Sequence, residues 1–266
     1  MIDAGSVART LAAIREKRPL VHNITNLVVT NTTANALLAL GASPAMVHCP
    51  DEVEEFTAIS GALVVNVGTI DPTQAAAMRL ATRAAQAASV PWILDPVAVG
   101  VLRYRTELAR DLLQHRPAVI RGNASEVIGL EGAPAGGGHG VDATASSQAA
   151  RPAAERLARA TGVVVAVTGA VDYVSDGKRT VAVHNGHAMM TRVTGLGCTA
   201  TALIGACLAV QPDRLAAAVH GLAFIGVAGE IAAERARGPG SLQLELYDAL
   251  YRLDEATLAE RLNLTE

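Results

Sequence analysis

Three short, nearly unbroken apolar runs, ALVVNVGT at 62–69, PWILDP at 91–96 and VVVAVTG at 163–169, alternate with longer segments of helical spacing such as QAAAMRLATRAAQAA at 74–88. A strand that is apolar on both faces has to be covered on both faces, and a parallel sheet flanked by helices meets that condition. Strand and helix alternate at least five times with short connections. The pattern therefore predicts a three-layer α/β fold, with a mainly parallel central sheet and helices on both faces. Only 3% of residues are aromatic against 50% hydrophobic, so the core is built from Ala, Val, Leu and Ile, which lets helices pack closely on a sheet. A chain of 266 residues without internal repeat or linker reads as a single domain, 1–266.

Local signals refine the order. A helix over 6–17 leads to a short strand in PLVHNITN, and TTANALLALG is a helix stopped by Gly41. SPAMVHC is a second short strand. DEVEEF opens a helix with Asp51 at the cap and Glu54 three residues on. Asp71 and Pro72 start the next helix. After PWILDP a helix runs to about residue 115; then come strand AVI, turn RGN and a short helix capped by Asn123 and Glu126. GAPAGGGHGVD at 132–142 is a Gly-rich loop, and a helix over 147–160 follows. DYVSDGKRTVAVHNG reads as two strands joined by an Asp-Gly turn, adding antiparallel strands at one edge. The remainder reads as helical.

Composition excludes several function classes. Net charge is −3, with no basic run or aromatic-basic patch, so no nucleic-acid partner is expected. Cys49, Cys198 and Cys207 have neither CxxC spacing nor an even-numbered framework, which fits a reducing, cytoplasmic setting. The N-terminal segment carries charges throughout and lacks the apolar core of a signal peptide. LAAAVHGLAFIGVAGEIAA at 215–233 contains His220 and Glu230 and reads as a buried helix, so no membrane partner is expected. His22, His48 and His184 lack metal-ligand spacing and are read as structural.

Chemistry concentrates at VTGLGC, 193–198, which runs into the helix-patterned TATALIGACLAV. Paired glycines allow a tight turn that presents backbone N–H groups, and the following helix directs its positive end at an anion. In the first turn of that helix, Cys198 is expected to have its thiol pKa lowered by the dipole. On these six residues alone, an ordinary turn before a core helix is the commoner reading. In open α/β sheets, ligands bind beyond the carboxyl ends of the strands. Asn23, Asn26, Met46, Gly68, Asp95, Arg121, Asn123 and Thr168 all fall at such ends, on one rim with VTGLGC.

Five ordered motifs carry a resemblance over nearly the whole length: VHNITNLVVTNTTANALLALGASPAM at 21–46, ILDPV at 93–97, IRGNASE at 120–126, VTGAVDYVSDG at 167–177 and NGHAMMTRVTGLGC at 185–198. With them the chain resembles the hydroxyethylthiazole kinases, salvage enzymes of thiamine synthesis with a ribokinase-like fold. The resemblance implies transfer of the ATP γ-phosphoryl group to the primary alcohol of the thiazole. It also implies a homotrimer with active sites near subunit boundaries. Many ribokinase-like enzymes carry aspartate where this chain and the thiazole kinases carry cysteine. Leu196 departs from the small residue or threonine common at that place, with little consequence expected because the position offers its backbone N–H.

On that resemblance, Gly195, Gly197 and Cys198 form the catalytic turn, with Cys198 either a weak general base or a positioning group for the substrate hydroxyl. Arg121, Asn123 and Thr168 fall to ATP, and Asn26, Met46, Gly68 and Gly195 to the thiazole. Asp95 and Glu126 are the Mg2+ carboxylates, acting through water. Alternatives from other classes are a kinase for another small alcohol such as hydroxymethylpyrimidine, a nucleotide-dependent lyase, or a non-catalytic ligand-binding regulator. A dinucleotide-binding dehydrogenase is disfavoured, since no GxGxxG follows the first strand.

Overall fold

In the computed structural model, which describes residues 2–132 and 146–266, nine strands form one sheet in the order β2-β1-β3-β4-β5-β6-β7-β8-β9. Six are parallel neighbours: β1 (Leu20–Ile24), β2 (Ser43–Ala45), β3 (Ala62–Asn66), β4 (Trp92–Asp95), β5 (Val119–Asn123) and β6 (Val164–Thr168). Beyond β6 the sheet turns antiparallel through β7 (Asp172–Ser175), β8 (Thr180–Val183) and β9 (Leu264–Thr265). The Gly-rich segment lies outside the described residues except for Gly132.

The two faces are covered by different helices, as two-sided apolar strands require. Ala62 and Val64 face a cluster with α1 (Ala4–Lys17), α2 (Thr30–Leu40), α8 (Leu196–Leu208), α9 (Arg214–Arg235), α10 (Pro239–Arg252) and α11 (Glu255–Arg261). Leu63 and Val65 face the opposite cluster with α3 (Val53–Ala58), α4 (Pro72–Ala88), α5 (Arg103–Leu113), α6 (Ala124–Glu131) and α7 (Ser147–Thr161). The period-two alternation of the strands thereby decides which rim residue meets which helix. Asn66 shares the α8 side with Val64, Asp95 with Ile93, Arg121 with Val119, and Thr168 with Ala166.

Several expected boundaries move, each for a local reason. Asp51 does not cap α3: Glu52 occupies the cap position without a side-chain bond, and the amides of Glu52 and Val53 both donate to the Cys49 carbonyl. RGN is no turn but the end of β5, because Arg121, Gly122 and Asn123 pair with Ala166, Val167 and Thr168 of β6. After β4 the chain turns through left-handed Ala98 (φ 61°) and Gly100 (φ 87°) before α5 starts at Arg103. The C-terminal region is not wholly helical, since β9 adds to β8. The Asp71 cap, the Gly41 stop and the β7–β8 hairpin stand where the sequence places them.

Helix α9 is long and apolar enough to cross a membrane by length and composition, yet 89% of its most apolar window is buried within the protein. Its polar residues are satisfied inside. The His220 Nδ1 lies 2.9 Å from the Thr10 hydroxyl, and Glu230 accepts from the Asn185 side chain at 3.0 Å and the Gly186 amide at 2.9 Å. Helices α8 and α9 approach so closely at Gly221 that a Cβ there would sit 2.7 Å from the backbone of Ile204. Substituting Gly221→Ala is expected to force the two helices apart and cost about 1–3 kcal/mol, read as a lower midpoint in urea unfolding.

Candidate active site

Asp95 ends β4 fully buried. Its Oδ2 accepts from the Asn66 amide and from the Thr201 hydroxyl, each at 2.8 Å, while Oδ1 has no partner among the described residues. Burial raises its pKa; the Arg121 charge opposes that most, followed by hydrogen bonds from Thr201, Asn66 and Cys198. The Arg121 Nη1 lies 3.8 Å from Asp95 Oδ2, and Nη2 donates to the Thr168 hydroxyl.

Arg121 also lies flat against the VTGLGC turn. A Cβ at Gly197 would fall 2.7 Å from its Nη1 and 2.8 Å from its Nη2, so only glycine admits the guanidinium there. Gly195, at φ 83°, caps α8 and could not carry a side chain either, because its Cβ would meet Val29 Cγ1 at 2.4 Å. The first bond closing the helix runs from the Thr199 amide to the Gly195 carbonyl at 2.9 Å. The N–H groups of Leu196, Gly197 and Cys198 therefore precede the helical ladder and are available to an anion. The Leu196 side chain packs into the core.

Glu126 is held by two backbone amides. Its Oε2 accepts from Asn123 at 2.8 Å, completing a capping box with the return bond from the Glu126 amide to Asn123 Oδ1 at 3.0 Å. Oε1 accepts from the left-handed Ala98 at 3.0 Å. Burial and then the neighbouring Asp95 charge raise its pKa. Two neighbouring buried carboxylates, both pushed toward protonation by burial and one with an unsatisfied oxygen, fit a hard divalent cation between them. Among the described residues no three His, Cys, Asp or Glu side chains converge on a metal position. A pair of carboxylates leaves most of an octahedral shell to water and phosphate oxygens, as Mg2+ prefers.

On the other side of the turn, Asn26 Nδ2 donates to Cys198 Sγ at 3.4 Å and to Asn66 Oδ1 at 3.0 Å. Gly68 closes on the same pair: its amide donates to Asn66 Oδ1 at 2.9 Å, and a Cβ would lie 3.0 Å from Asn26 Cβ. Met46 is half-buried at the end of edge strand β2, at the outer limit of this rim. His22 fixes the turn beyond it, with Nε2 2.7 Å from the Val47 carbonyl and Nδ1 3.0 Å from the Thr57 hydroxyl.

One expectation fails. The Cys198 thiol is not acidified by the helix terminus; its pKa is pushed up to about 12, by burial first and by the Asp95 charge second. A helix end carries about half an elementary charge, which a full carboxylate charge in the same dry site outweighs. In the free protein Cys198 is a neutral thiol.

A sequence profile described as the hydroxyethylthiazole kinase family matches residues 11–256. The chain belongs to the hydroxyethylthiazole kinase family. A hydroxyethylthiazole kinase from Granulibacter bethesdensis is 66% identical over 250 residues, covering 94% of this chain and 91% of that protein. The structure of a hydroxyethylthiazole kinase from Pyrococcus horikoshii superposes with a TM-score of 0.90 at 44% identity, covering 97% of this chain and 98% of that one. Bacillus subtilis pyridoxal kinase shares the fold alone, with a TM-score of 0.60 at 16% identity over 79% of this chain and 91% of that one.

Within this hydroxyethylthiazole kinase family member, two residues join the site that motif reasoning passes over, Asn66 and Thr201. The only available signal for Asn66 is an amide in the otherwise apolar run ALVVNVGT. Thr201 lies within a helix pattern and carries no signal of its own. The neutral thiol gives a direct prediction. Iodoacetamide at pH 8 should alkylate exposed Cys49 well before Cys198, a difference that peptide mass spectrometry over a time course resolves.

Proposed function

We propose that the chain transfers the γ-phosphoryl group of ATP to the primary hydroxyl of 4-methyl-5-(2-hydroxyethyl)thiazole, in thiamine salvage. The observation that carries the reading is the placement of Arg121 against Gly197, Thr168 and Asp95 at the start of α8, with the free N–H groups of Leu196 to Cys198 beside it. Phosphoryl transfer asks a protein mainly for positioning and for stabilising the charge of the transferred group. The guanidinium and the helix terminus meet that need on one side. On the other, Asn26, Gly68 and Cys198 face the acceptor alcohol, with Met46 at the outer end of the thiazole position. Asn123 and Thr168 stand on the nucleotide side.

Asp95 and Glu126 would hold Mg2+ through water, which when bound neutralises charge on the phosphate oxygens. Burial raises both pKa values more than the Arg121 charge lowers them, which leaves room for a further positive charge beside the pair. Cys198, neutral at physiological pH, serves as a positioning group for the alcohol rather than as its base. An aspartate at the same place would share the dry site with Asp95, and its raised pKa would lie nearer the working pH of a general base.

The reading of residues 1–266 as one kinase domain rests on the single nine-stranded sheet that joins the described elements. A homotrimer with sites near subunit boundaries draws support from exposed Leu27 and Val28, directly beside Asn26 at the rim. Sedimentation equilibrium at three times the chain mass would establish it. A cytoplasmic setting draws support from three unpaired cysteines.

The deciding experiment is ATP-dependent turnover across a panel of small alcohols. The hydroxyethylthiazole should be preferred, and preference for hydroxymethylpyrimidine, or phosphate release without a phosphorylated alcohol, would overturn the assignment. Cys198→Ala is expected to lower kcat by about 100-fold, the scale of a misplaced reactant, with Cys198→Asp matching or exceeding the parent. Full turnover in the alanine variant would leave the backbone donors as sufficient. Gly197→Ala displaces the flexible Arg121 head rather than backbone. It should therefore keep its melting midpoint while kcat/KM falls about 100-fold, the scale of a misplacement of about 1 Å.

A further inference from the structure

Asn66 ends β3 in register with Asp95 at the end of β4, and its side chain is buried. Three hydrogen bonds fix its amide. Nδ2 donates to Asp95 Oδ2 at 2.8 Å, while Oδ1 accepts from Asn26 Nδ2 at 3.0 Å and from the Gly68 amide at 2.9 Å. Turned the other way, the amide would face two donors with its NH2 and a carboxylate with its oxygen, so the orientation is over-determined. Asn26 is fixed in the same sense: its Oδ1 accepts from the Val28 amide at 3.1 Å, and its Nδ2 also reaches Cys198 Sγ at 3.4 Å. The donors run in one direction, from Asn26 to Asn66 to Asp95, and each bond polarises the next.

The sheet itself does not need this amide. Asn66 stands among Val64, Val65 and Val67, all buried, and an apolar side chain of similar size would complete the strand without importing three polar partners. What the amide does instead is connect the two halves of the rim. Asp95 belongs to the cation and phosphoryl side; Asn26, Gly68 and Cys198 belong to the acceptor side.

We infer that Asn66 is a positioning residue for phosphoryl transfer, holding the acceptor-side residues Asn26 and Gly68 in register with Asp95 through one oriented amide. The inference rests on the proposed kinase reading. It acts through other groups and touches neither reacting atom. Arg121 Nη1 stands 3.8 Å from the same Asp95 oxygen and its Nη2 donates to Thr168, contacts that do not run through the Asn66 amide, so nucleotide binding is expected to survive its loss.

The test compares the parent with Asn66→Leu, Asn26→Ala and the double variant. Calorimetric titration of the nucleotide-free and metal-free protein with hydroxyethylthiazole reads the acceptor side alone; steady-state kinetics then gives kcat and the KM for each substrate. Asn66→Leu is expected to weaken thiazole binding about tenfold, the scale of one or two lost buried hydrogen bonds, and to lower kcat at least as much. The KM for ATP should stay within about twofold. Because Asn26 acts with Asn66, the double variant should bind no more weakly than the worse single one. Should Asn66→Leu fail to fold, Asn66→Ser, which reaches neither partner, carries the same expectations.

Unchanged thiazole affinity in these variants would overturn the inference. So would losses that multiply in the double variant, or an ATP KM that rises in step with that for the thiazole. A lower melting midpoint with unaltered constants per folded molecule would reduce Asn66 to a structural residue. A parent protein that neither binds nor phosphorylates the thiazole would instead overturn the kinase reading, and the inference with it, before any variant is compared.

Discussion

The buried carboxylate of Asp95 is the constraint on which the rim depends. An ionised group taken out of water costs several kcal/mol unless it is paired and hydrogen-bonded. Here the compensation comes from three different elements: Asn66 on β3, Arg121 on β5, and Thr201 with the neighbouring Cys198 thiol on α8. Such an arrangement is a poor device for stability, because well-packed apolar residues would serve the core at least as well. Its retention at the carboxyl end of a parallel sheet, with one oxygen still unsatisfied, makes sense as preparation for a charge brought by a ligand. The surrounding elements are placed accordingly: α8 passes close enough for Thr201, in its second turn, to bond Asp95.

The two glycines of VTGLGC do different work. Gly195 takes a left-handed conformation and yields to Val29, which keys the loop carrying Asn26 into the catalytic turn. Gly197 yields to Arg121, which brings a full positive charge to within van der Waals distance of the helix terminus. Positive groups thus crowd the place where phosphoryl oxygens would sit, while the Cys198 thiol stays protonated, by burial first and the Asp95 charge second. The site is organised for charge stabilisation before proton removal. That order agrees with a loose transition state in which the acceptor hydroxyl is deprotonated late.

Much of this was legible in the chain because the determinants are local or periodic. Apolar runs such as VVVAVTG state that both faces are covered, and period two then assigns Asp95, Arg121 and Thr168 to a common face. Asn123 and Glu126 could be read either as a helix cap or as a cation site. The structure shows the cap and adds a second amide from Ala98, so one carboxylate satisfies the helix start while remaining beside Asp95. What the chain concealed depends on contacts distant in sequence. The thiol pKa of Cys198 is set by its burial first and by Asp95, over a hundred positions away, second, and no helix-end rule contains either. Asn66 was hidden because a single amide in a strand carries no motif, and Thr201 because a threonine inside a helix is ordinary. Errors at Asp51 and at RGN have a different origin. A cap signal lost to a competing turn at Cys49, and a Gly-Asn pair was drawn into the sheet by β6.

Backbone strain sorts along the same lines. Among the described residues, five non-glycine residues adopt positive φ: Arg18, Thr69, Ser89, Ala98 and Arg116. Arg18 and Ser89 end helices α1 and α4, and Arg116 follows α5, where a left-handed residue lets the chain leave the helix. Thr69 and Ala98 end no helix. Thr69, a β-branched residue for which this conformation is unfavourable, offers its hydroxyl to the Leu27 amide at 2.9 Å and so holds the loop that carries Asn26. Ala98 turns its amide onto Glu126. Strain that lacks a structural excuse therefore falls at two points, one supporting the acceptor side and one the cation side. Both are points where a small shift of backbone would move a residue of the proposed site, Asn26 in one case and Glu126 in the other, which is where a rigid surround has reason to hold it.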